Sequence, residues 1–181
     1  MQAQWAAREH RLSRYVTEQP SYSVLQRGIE SHVLPVTEEY GMGVLVWSPL
    51  ASGWLSGAVR RGKDVTTHRS AFMPERFDPA LPANRARLDA VERLAGIADA
   101  AGLTMIQLAL GFATAHPAVT SALVGPRTLD HLHSQLAAAD TVLGADVLDA
   151  IDSVVAPGTD LAAHEKHDTP PALLDASLRR R

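Results

Sequence analysis

The stretch Gly43-Val-Leu-Val-Trp-Ser-Pro-Leu-Ala-Ser-Gly-Trp-Leu-Ser-Gly57 decides the fold prediction. Its first part, Val44 to Val46, is a short apolar run bounded by glycine and by Ser48-Pro49, which is typical of a buried strand in a parallel sheet. The following residues are small and polar, and such a loop can offer many free backbone N–H groups to an anion such as a diphosphate. An ordinary turn after a buried strand explains the same composition, so the stretch alone leaves both interpretations open.

The composition limits the class of protein. The chain has 181 residues, 46% of them hydrophobic and 5% aromatic, and a formal net charge of -3. These values predict one soluble domain with a sizeable core and argue against a nucleic-acid-binding surface. The absence of cysteine excludes disulfides, thiolate catalysis and cysteine-based zinc sites, and we identify no metal site. We find neither a membrane-spanning run nor an export signal, so the expected location is the cytoplasm.

Helical and extended patterns alternate along the chain, which predicts an α/β protein with a parallel sheet. Apolar residues from Ala3 to Val16 have roughly helical spacing, but no capping residue precedes them, and a chain that opens in mid-helix suggests a missing preceding segment. Pro35 predicts a kink or a break in the second helix. The later predicted elements are strand 15–19, helix 28–40, strand 44–47, helices capped by Asn84 and by Thr104, strand 119–124, a helix capped by Thr128 and a last helix 146–155.

Residues 60–83 interrupt the alternation. Several arginines occur there among Gly, Thr, Pro and Asp, which predicts a long irregular loop. Such a loop either folds over a phosphate-bearing ligand or is a solvated excursion. The tail of the chain, residues 156–181, is predicted to be irregular as well.

A second informative stretch runs from Gly125 to Gln135. A predicted strand ends in Gly125-Pro-Arg-Thr128, and a helix starts there, so unpaired N–H groups and a partial positive charge lie at its N-terminus. Arg127 adds a planar set of donors suited to a phosphate monoester. In a (β/α)₈ barrel a phosphate commonly binds in the loops after strands seven and eight, and two such loops in this order favour a phosphate-bearing cofactor.

Four groups of residues, in this order, resemble the C-terminal half of an aldo-keto reductase. They are Gln19-Pro-Ser-Tyr-Ser23, Glu30 to Tyr40 with Val33-Leu-Pro35, Trp47-Ser-Pro-Leu-Ala-Ser-Gly53 and Val124-Gly-Pro-Arg-Thr128. The likeness is strongest to the branch that holds the potassium-channel β subunits and their bacterial relatives, and it covers almost the whole chain. It implies a single partial domain over residues 1–181, the C-terminal part of a (β/α)₈ barrel with an extra C-terminal helix.

The resemblance also implies a cofactor, NADP, and a reaction, the reduction of aldehydes or ketones. By position, Gln19 would meet the nicotinamide carboxamide and Trp47 would stack on the nicotinamide ring. Arg127 would hold the 2′-phosphate, and Arg69 could reach the same end. The diphosphate would be lined by Ser48, Pro49, Leu50, Ala51, Ser52 and Gly53, and the adenosine end would be held by Gly125, Arg127, His131, Ser134 and Gln135.

The chain departs from the family pattern in two ways. Ala58 stands where relatives often have a lysine that reaches the diphosphate, and Arg60 or Arg61 is the available substitute. The family's catalytic Asp, Tyr, Lys and His belong to the first half of the barrel, which this chain does not resemble. We therefore assign no catalytic residue, since hydride transfer to a carbonyl needs a positioned proton donor.

Two functions follow as alternatives. The chain is either the cofactor-binding half of an NADP-dependent oxidoreductase, truncated here, or a non-catalytic remnant that binds a nucleotide or a partner chain. A small carbonyl compound is the expected substrate if a full barrel is completed; neither nucleic acid nor membrane is expected as a partner. Open barrel edges at strands 15–19 and 119–124 predict self-association.

Overall fold

A computed structural model describes residues 1–63, 65, 67–161 and 177 of the chain. Seven α-helices and three short parallel strands make up this part. In chain order they are α1 (Gln2–Glu9), β1 (Thr17–Glu18), α2 (Val33–Glu39), β2 (Gly43–Val46), α3 (His68–Phe72), α4 (Pro82–Ala100), α5 (Met105–Ala115), β3 (Ser121–Ala122), α6 (Leu129–Leu136) and α7 (Ala145–Val154). Most of the predicted irregular tail lies outside the described residues.

The sheet confirms the prediction of an α/β protein with parallel strands. Its order is β1-β2-β3, with Thr17 opposite Gly43 in one pair and Leu45 opposite Ser121 in the other. The central strand β2 pairs on both sides, and its Val44 and Val46 are fully buried. The predicted strand 44–47 is therefore confirmed to within one residue.

Helices cover this sheet and build the core. Helix α5 packs against β3, and α4 packs against both α5 and α7. Leu94 of α4, Leu108 of α5 and Ile151 of α7 are fully buried in the same cluster as the valines of β2. An apolar stripe on each helix thus meets the buried face of the sheet, as the periodicity predicts.

The helix ends follow the local sequence. Thr104 and Gln107 form a reciprocal capping box at the start of α5, and Thr128 caps α6 by accepting the N–H of His131 at 3.2 Å. The predicted break near Pro35 is present: a 3₁₀ turn at Gly28–Ser31 precedes α2, which begins at Val33. Pro35 consequently lies in the first turn of α2, where the missing N–H is tolerated.

Two predictions about helices are wrong, and a third is met only in part. Asn84 does not cap α4, which begins at Pro82; its buried amide instead donates to the carbonyls of Glu75 and Asp78 at 2.8 and 2.9 Å. The helix predicted from Ala3 onward is present but shorter, because α1 ends at Glu9; Ala7 is buried, whereas Trp5 and Val16 are exposed. Residues 60–83 contain α3 and a 3₁₀ turn as well as loop, since a Thr67–Ser70 capping box starts a helix there.

No single helix in the described part of the chain is both long and apolar enough to cross a membrane. Helices α4 and α5 reach the required length and composition only as a pair, and they are bent by 95° relative to each other.

Candidate cofactor site

The residues expected to bind a cofactor lie at one edge of the sheet. Gln19 directly follows β1, Trp47 directly follows β2, and Gly125 comes a few residues after β3. Because the strands are parallel, their carboxyl ends meet at the same edge, where α/β proteins commonly bind ligands. The backbone N–H of Trp47 donates to Pro20 at 3.0 Å, which joins the first two of these loops directly.

The side chains at this edge differ in exposure. Gln19 is exposed, and Trp47 is half-buried with its backbone held between Pro20 and Tyr22. The N–H of Tyr22 donates to the carbonyl of Trp47 at 3.2 Å. The position of Trp47 therefore depends on the segment after β1 as well as on its own strand.

The loop after β2 is folded tightly on itself. Three residues that are not glycine, Ser48, Ala51 and Ser52, have φ values of 58°, 48° and 57°. Left-handed backbone of this kind costs free energy outside glycine and is often found at functional sites. The N–H groups of residues 51–56 all donate to oxygens of residues 48–53. The prediction of many free N–H groups is therefore wrong for this part of the loop.

Side chains hold this loop on the core. Trp54 is almost fully buried and stacks on Phe77, with 5.2 Å between ring centroids, and the Arg87 guanidinium lies 5.6 Å from the centroid of the Trp54 ring. Ser48 Oγ accepts the N–H of Ser52 at 3.1 Å, which leaves the Ser48 O–H as a donor for a ligand oxygen. The loop is therefore already folded, and it offers a ligand the Ser48 hydroxyl rather than a row of free backbone amides.

The two arginines that follow the loop are directed to α4. Arg60 forms an ion pair with Glu92 at 3.2 Å, and Arg61 forms one with Asp89. A hydrogen bond from the backbone N–H of Arg61 holds the pKa of Glu92 below its ordinary value, and a hydrogen bond from the Arg60 side chain adds a smaller effect in the same direction. The hypothesis that Arg60 or Arg61 replaces the lysine at position 58 has no support in this arrangement.

Arg127 lines an open cavity of about 540 Å³ whose other wall is α3 and the residues before it. The guanidinium has neither an ion-pair partner nor a hydrogen-bond acceptor among the described residues, and the residue is exposed. A planar cation at the mouth of such a cavity suits an anionic group. The cavity is lined by Val65, Thr67, His68, Ser70, Ala71 and Arg127.

The structure thereby brings the long loop to Arg127, as the Arg69 prediction requires, although Arg69 itself does not line the cavity. Sequence reasoning missed His68 and Ser70, which do. A signal for them exists: Thr67 accepts the N–H of Ser70, and Ser70 accepts that of Thr67. The Thr-x-x-Ser spacing is typical of a helix start, so it predicts that the residues after Thr67 are helical rather than irregular.

The polar residues of α6 are divided between two places. His131 is exposed, and Ser134 donates to the His131 carbonyl at 2.9 Å. Gln135 lines a second groove of about 270 Å³ between α5, β3 and α6, and its Oε1 is buried without a partner in the described structure. Arg127 and Gln135 therefore line different cavities, and the structure does not bring them into one pocket.

A buried ionic network underlies the segment that holds Trp47. Arg27, 4% exposed, donates to Glu30 at 2.8 Å, to Asp152 at 2.7 Å and to the Val155 carbonyl at 2.6 Å. Its guanidinium also lies 5.0 Å from the centroid of the Phe112 ring. Burial alone would lower the pKa of Arg27, but hydrogen bonds to the two carboxylates outweigh burial and raise it.

Tyr22 belongs to the same network. It is buried and donates its hydroxyl to Glu30 at 2.7 Å, so burial, and then this hydrogen bond, raise the pKa of the phenol well above 10.0. A phenol with its proton committed to a carboxylate is a poor acid for a carbonyl substrate. Tyr15 is exposed ahead of β1, and Tyr40 lies at the end of α2. The described tyrosines therefore provide no positioned acid beside Trp47.

Comparison with known proteins gives a consistent relationship. A family-wide sequence profile described as the Aldo/keto reductase family matches residues 1–156. The chain is similar to the Bacillus subtilis protein described as an uncharacterized oxidoreductase, YrpG, with 31% identity over 85% of this chain and 44% of that protein. It is 34% identical to a probable voltage-gated potassium channel subunit beta of Arabidopsis thaliana, over 77% of this chain and 44% of the relative.

A third relative, the Escherichia coli protein tas, is 32% identical over 82% of this chain and 42% of its own length. The chain thus spans less than half the length of these curated relatives.

Proposed function

This chain belongs to the aldo/keto reductase family, and from that premise we propose that it is the NADP(H)-binding part of an oxidoreductase that reduces aldehydes or ketones. The observation that carries the proposal is the cavity between Arg127 and α3. Arg127 follows β3 as Gln19 and Trp47 follow β1 and β2, so all three come after the carboxyl ends of parallel strands. The proposed whole is a (β/α)₈ barrel, of which residues 1–181 form a single partial domain.

We assign the adenosine end of the cofactor to the cavity that Arg127 lines. In our proposal Arg127 binds the 2′-phosphate through its planar set of donors, which match phosphate oxygens. The wall at Thr67, His68 and Ser70 adds polar groups on the opposite side of the cavity. This arrangement favours NADP over NAD, because NAD carries only a neutral hydroxyl at the 2′-position, which gains little binding free energy from a guanidinium.

At the other end, the chain's own residues would orient the nicotinamide. Trp47 supplies an aromatic face, and Gln19 supplies an amide on the neighbouring loop. When bound, the cofactor supplies a hydride. The protein's task is then to hold the ring at the carboxyl edge of the sheet, and the Ser48 hydroxyl is the donor that we assign to the diphosphate.

A non-catalytic role is the second candidate, and one observation favours it. None of the described tyrosines is an acid placed beside Trp47, and proton donation to the carbonyl oxygen typically contributes about 10²–10⁴ in rate. Binding without turnover is what the described groups can support by themselves. The choice between the two candidates therefore depends on whether a complementary half of a barrel completes the site.

The proposal is tested by replacing Arg127 with alanine and measuring NADP⁺ and NAD⁺ affinity by calorimetry. Loss of a hydrogen bond to a charged group costs about 1.5–3 kcal/mol, so NADP⁺ affinity should fall by about 10- to 150-fold. NAD⁺ affinity should stay nearly unchanged. The matched control is Arg93→Ala, which removes an exposed arginine of α4 that does not line the cavity. Equal losses for the two nucleotides, or an equal loss in the control, would reject the 2′-phosphate assignment.

A further inference from the structure

The segment after α7 folds back onto the segment that follows β1. Residues 156–161, which we call the strap, come directly after the end of α7. The Arg27 N–H donates to the carbonyl of Thr159 at 3.0 Å. The Leu161 N–H donates to the carbonyl of Leu25 at 2.9 Å. Backbone hydrogen bonds therefore join two parts of the chain that lie far apart in the sequence.

Glu30 binds the strap and the core at the same time. Its Oε2 accepts the N–H of Gly158, in the strap, at 2.9 Å. Its Oε1 accepts the Tyr22 hydroxyl at 2.7 Å and the Arg27 Nε–H at 2.8 Å. The Glu30 side chain is only 12% exposed, so water replaces these donors poorly. Because each oxygen of one carboxylate serves a different segment, the strap cannot move without moving Glu30 or breaking a buried hydrogen bond.

The link continues from Glu30 to Trp47 through Tyr22. The Tyr22 N–H donates to the carbonyl of Trp47 at 3.2 Å, and the Trp47 N–H donates to that of Pro20 at 3.0 Å. Tyr22 is 1% exposed, and its ring centroid lies 5.6 Å from that of Phe112. Close-packed interiors leave a buried side chain little room to shift by itself. A displaced Tyr22 therefore displaces the backbone of Trp47 as well.

We propose that Glu30 is a positioning residue for the nicotinamide end of the cofactor, through which the strap fixes the place of Trp47. The inference rests on the proposed function, in which Trp47 supplies the aromatic face for that ring. Glu30 acts through Tyr22 and not by contact with the cofactor. Arg127 follows β3, whereas Glu30 follows β1 on the opposite side of β2, so binding at the adenosine end should not depend on Glu30.

Two variants break the link from its two sides. Glu30→Gln turns one carboxylate oxygen into an NH₂ group that accepts no hydrogen bond, so either the strap or the pair of Tyr22 and Arg27 loses its acceptor. Gly158 has a φ of 73°, a conformation in which alanine is strained, so Gly158→Ala displaces the strap itself. The matched control is Glu39→Gln, which makes the same chemical change at an exposed glutamate of α2.

The first measurement needs no cofactor. The chain has three tryptophans, so fluorine NMR of the chain labelled with fluorotryptophan gives few signals, and Trp47→Phe assigns the one from Trp47. Glu30→Gln and Gly158→Ala should each shift the Trp47 signal. Neither should move the signal of Trp5, which is exposed on α1, and Glu39→Gln should move none. A purely structural role predicts a lower urea midpoint with an unmoved Trp47 signal, and that result would overturn the proposal.

The second measurement compares, by calorimetry, NADP⁺ with adenosine 2′,5′-bisphosphate, which carries the 2′-phosphate but no nicotinamide. Glu30→Gln should weaken NADP⁺ binding by about 2- to 12-fold, as loss of one aromatic contact does, and leave the bisphosphate affinity unchanged. The double variant of Glu30→Gln and Gly158→Ala should bind NADP⁺ no worse than the weaker single variant, because both changes break one link.

The outcomes separate this inference from the proposed function. Equal losses for the two ligands, or losses that add in the double variant, would overturn the role of Glu30 while leaving NADP⁺ binding in place. An unmodified chain that binds neither ligand would reject the proposed function and with it the nicotinamide role. In that case the fluorine signal of Trp47 still shows whether the strap holds this residue through Glu30.

Discussion

Replacement of Arg27 by alanine should destabilise the protein more than loss of any exposed arginine. Arg27 is buried and joins three parts of the chain: Glu30 beside it, Asp152 on α7, and the Val155 carbonyl. Its removal leaves these acceptors without their donor in a region that water reaches poorly. The contact with Phe112 is lost as well.

The expected cost lies near the lower end of the range for a broken buried ion pair, about 3–5 kcal/mol. Two features reduce it. The Asp152 side chain is 42% exposed and can be hydrated, and Glu30 keeps hydrogen bonds from the Tyr22 hydroxyl and from the Gly158 N–H. We therefore expect a loss of about 3 kcal/mol, or about 6–12 °C in melting temperature for a chain of this size.

The free energy of unfolding should be measured in urea at one protein concentration, because association shifts apparent stability. Arg61→Ala is the control, since its ion pair with Asp89 is well exposed and should cost less than about 1 kcal/mol. Arg27→Met combined with Glu30→Gln should cost less than Arg27→Met alone, because the uncompensated buried carboxylate is gone. An Arg27→Ala loss as small as that of Arg61→Ala, or a double variant worse than the single, would refute this reasoning.

Two further predictions concern pH and turnover. The folded state keeps the Tyr22 phenol protonated above pH 10, so the contribution of Tyr22 to the free energy of unfolding should be fully present below pH 10 and fall by about 1.4 kcal/mol per pH unit above it. In urea unfolding, Tyr22→Phe should remove this part of the pH dependence, whereas Tyr15→Phe should not. Identical pH dependence in all three proteins would contradict the assignment. The 181-residue chain alone should oxidise NADPH with 4-nitrobenzaldehyde no faster than background, and addition of the first half of a related reductase should restore some turnover. Clear turnover by the repurified chain alone, lost on Trp47→Ala, would show that this chain holds a proton donor of its own.

Local sequence signals predicted those parts of the site that depend on local structure. Trp47 follows a strand, Arg127 lies at the start of a capped helix, and both are on the carboxyl edge of the sheet, as the alternation of elements implies. The free amides of the 51–56 loop were predicted wrongly because composition does not reveal φ. Left-handed Ser48, Ala51 and Ser52 turn the loop's N–H groups onto its own carbonyls.

The sequence by itself determined the buried strand at Val44–Val46 and the caps at Thr104 and Thr128, because each depends on residues close together in the chain. It also determined the α/β class and the family resemblance, because these depend on the order of short local patterns. Only the tertiary structure decided which charged groups are partnered. Arg60 and Arg61 are held by α4, Arg27 is buried against α7, and Arg127 alone of these four faces a cavity without a partner among the described residues. The physical reason is that an arginine has the same local sequence signal in every setting, whereas its charge is neutralised by groups that lie up to about 125 residues away in the chain, as Asp152 does for Arg27.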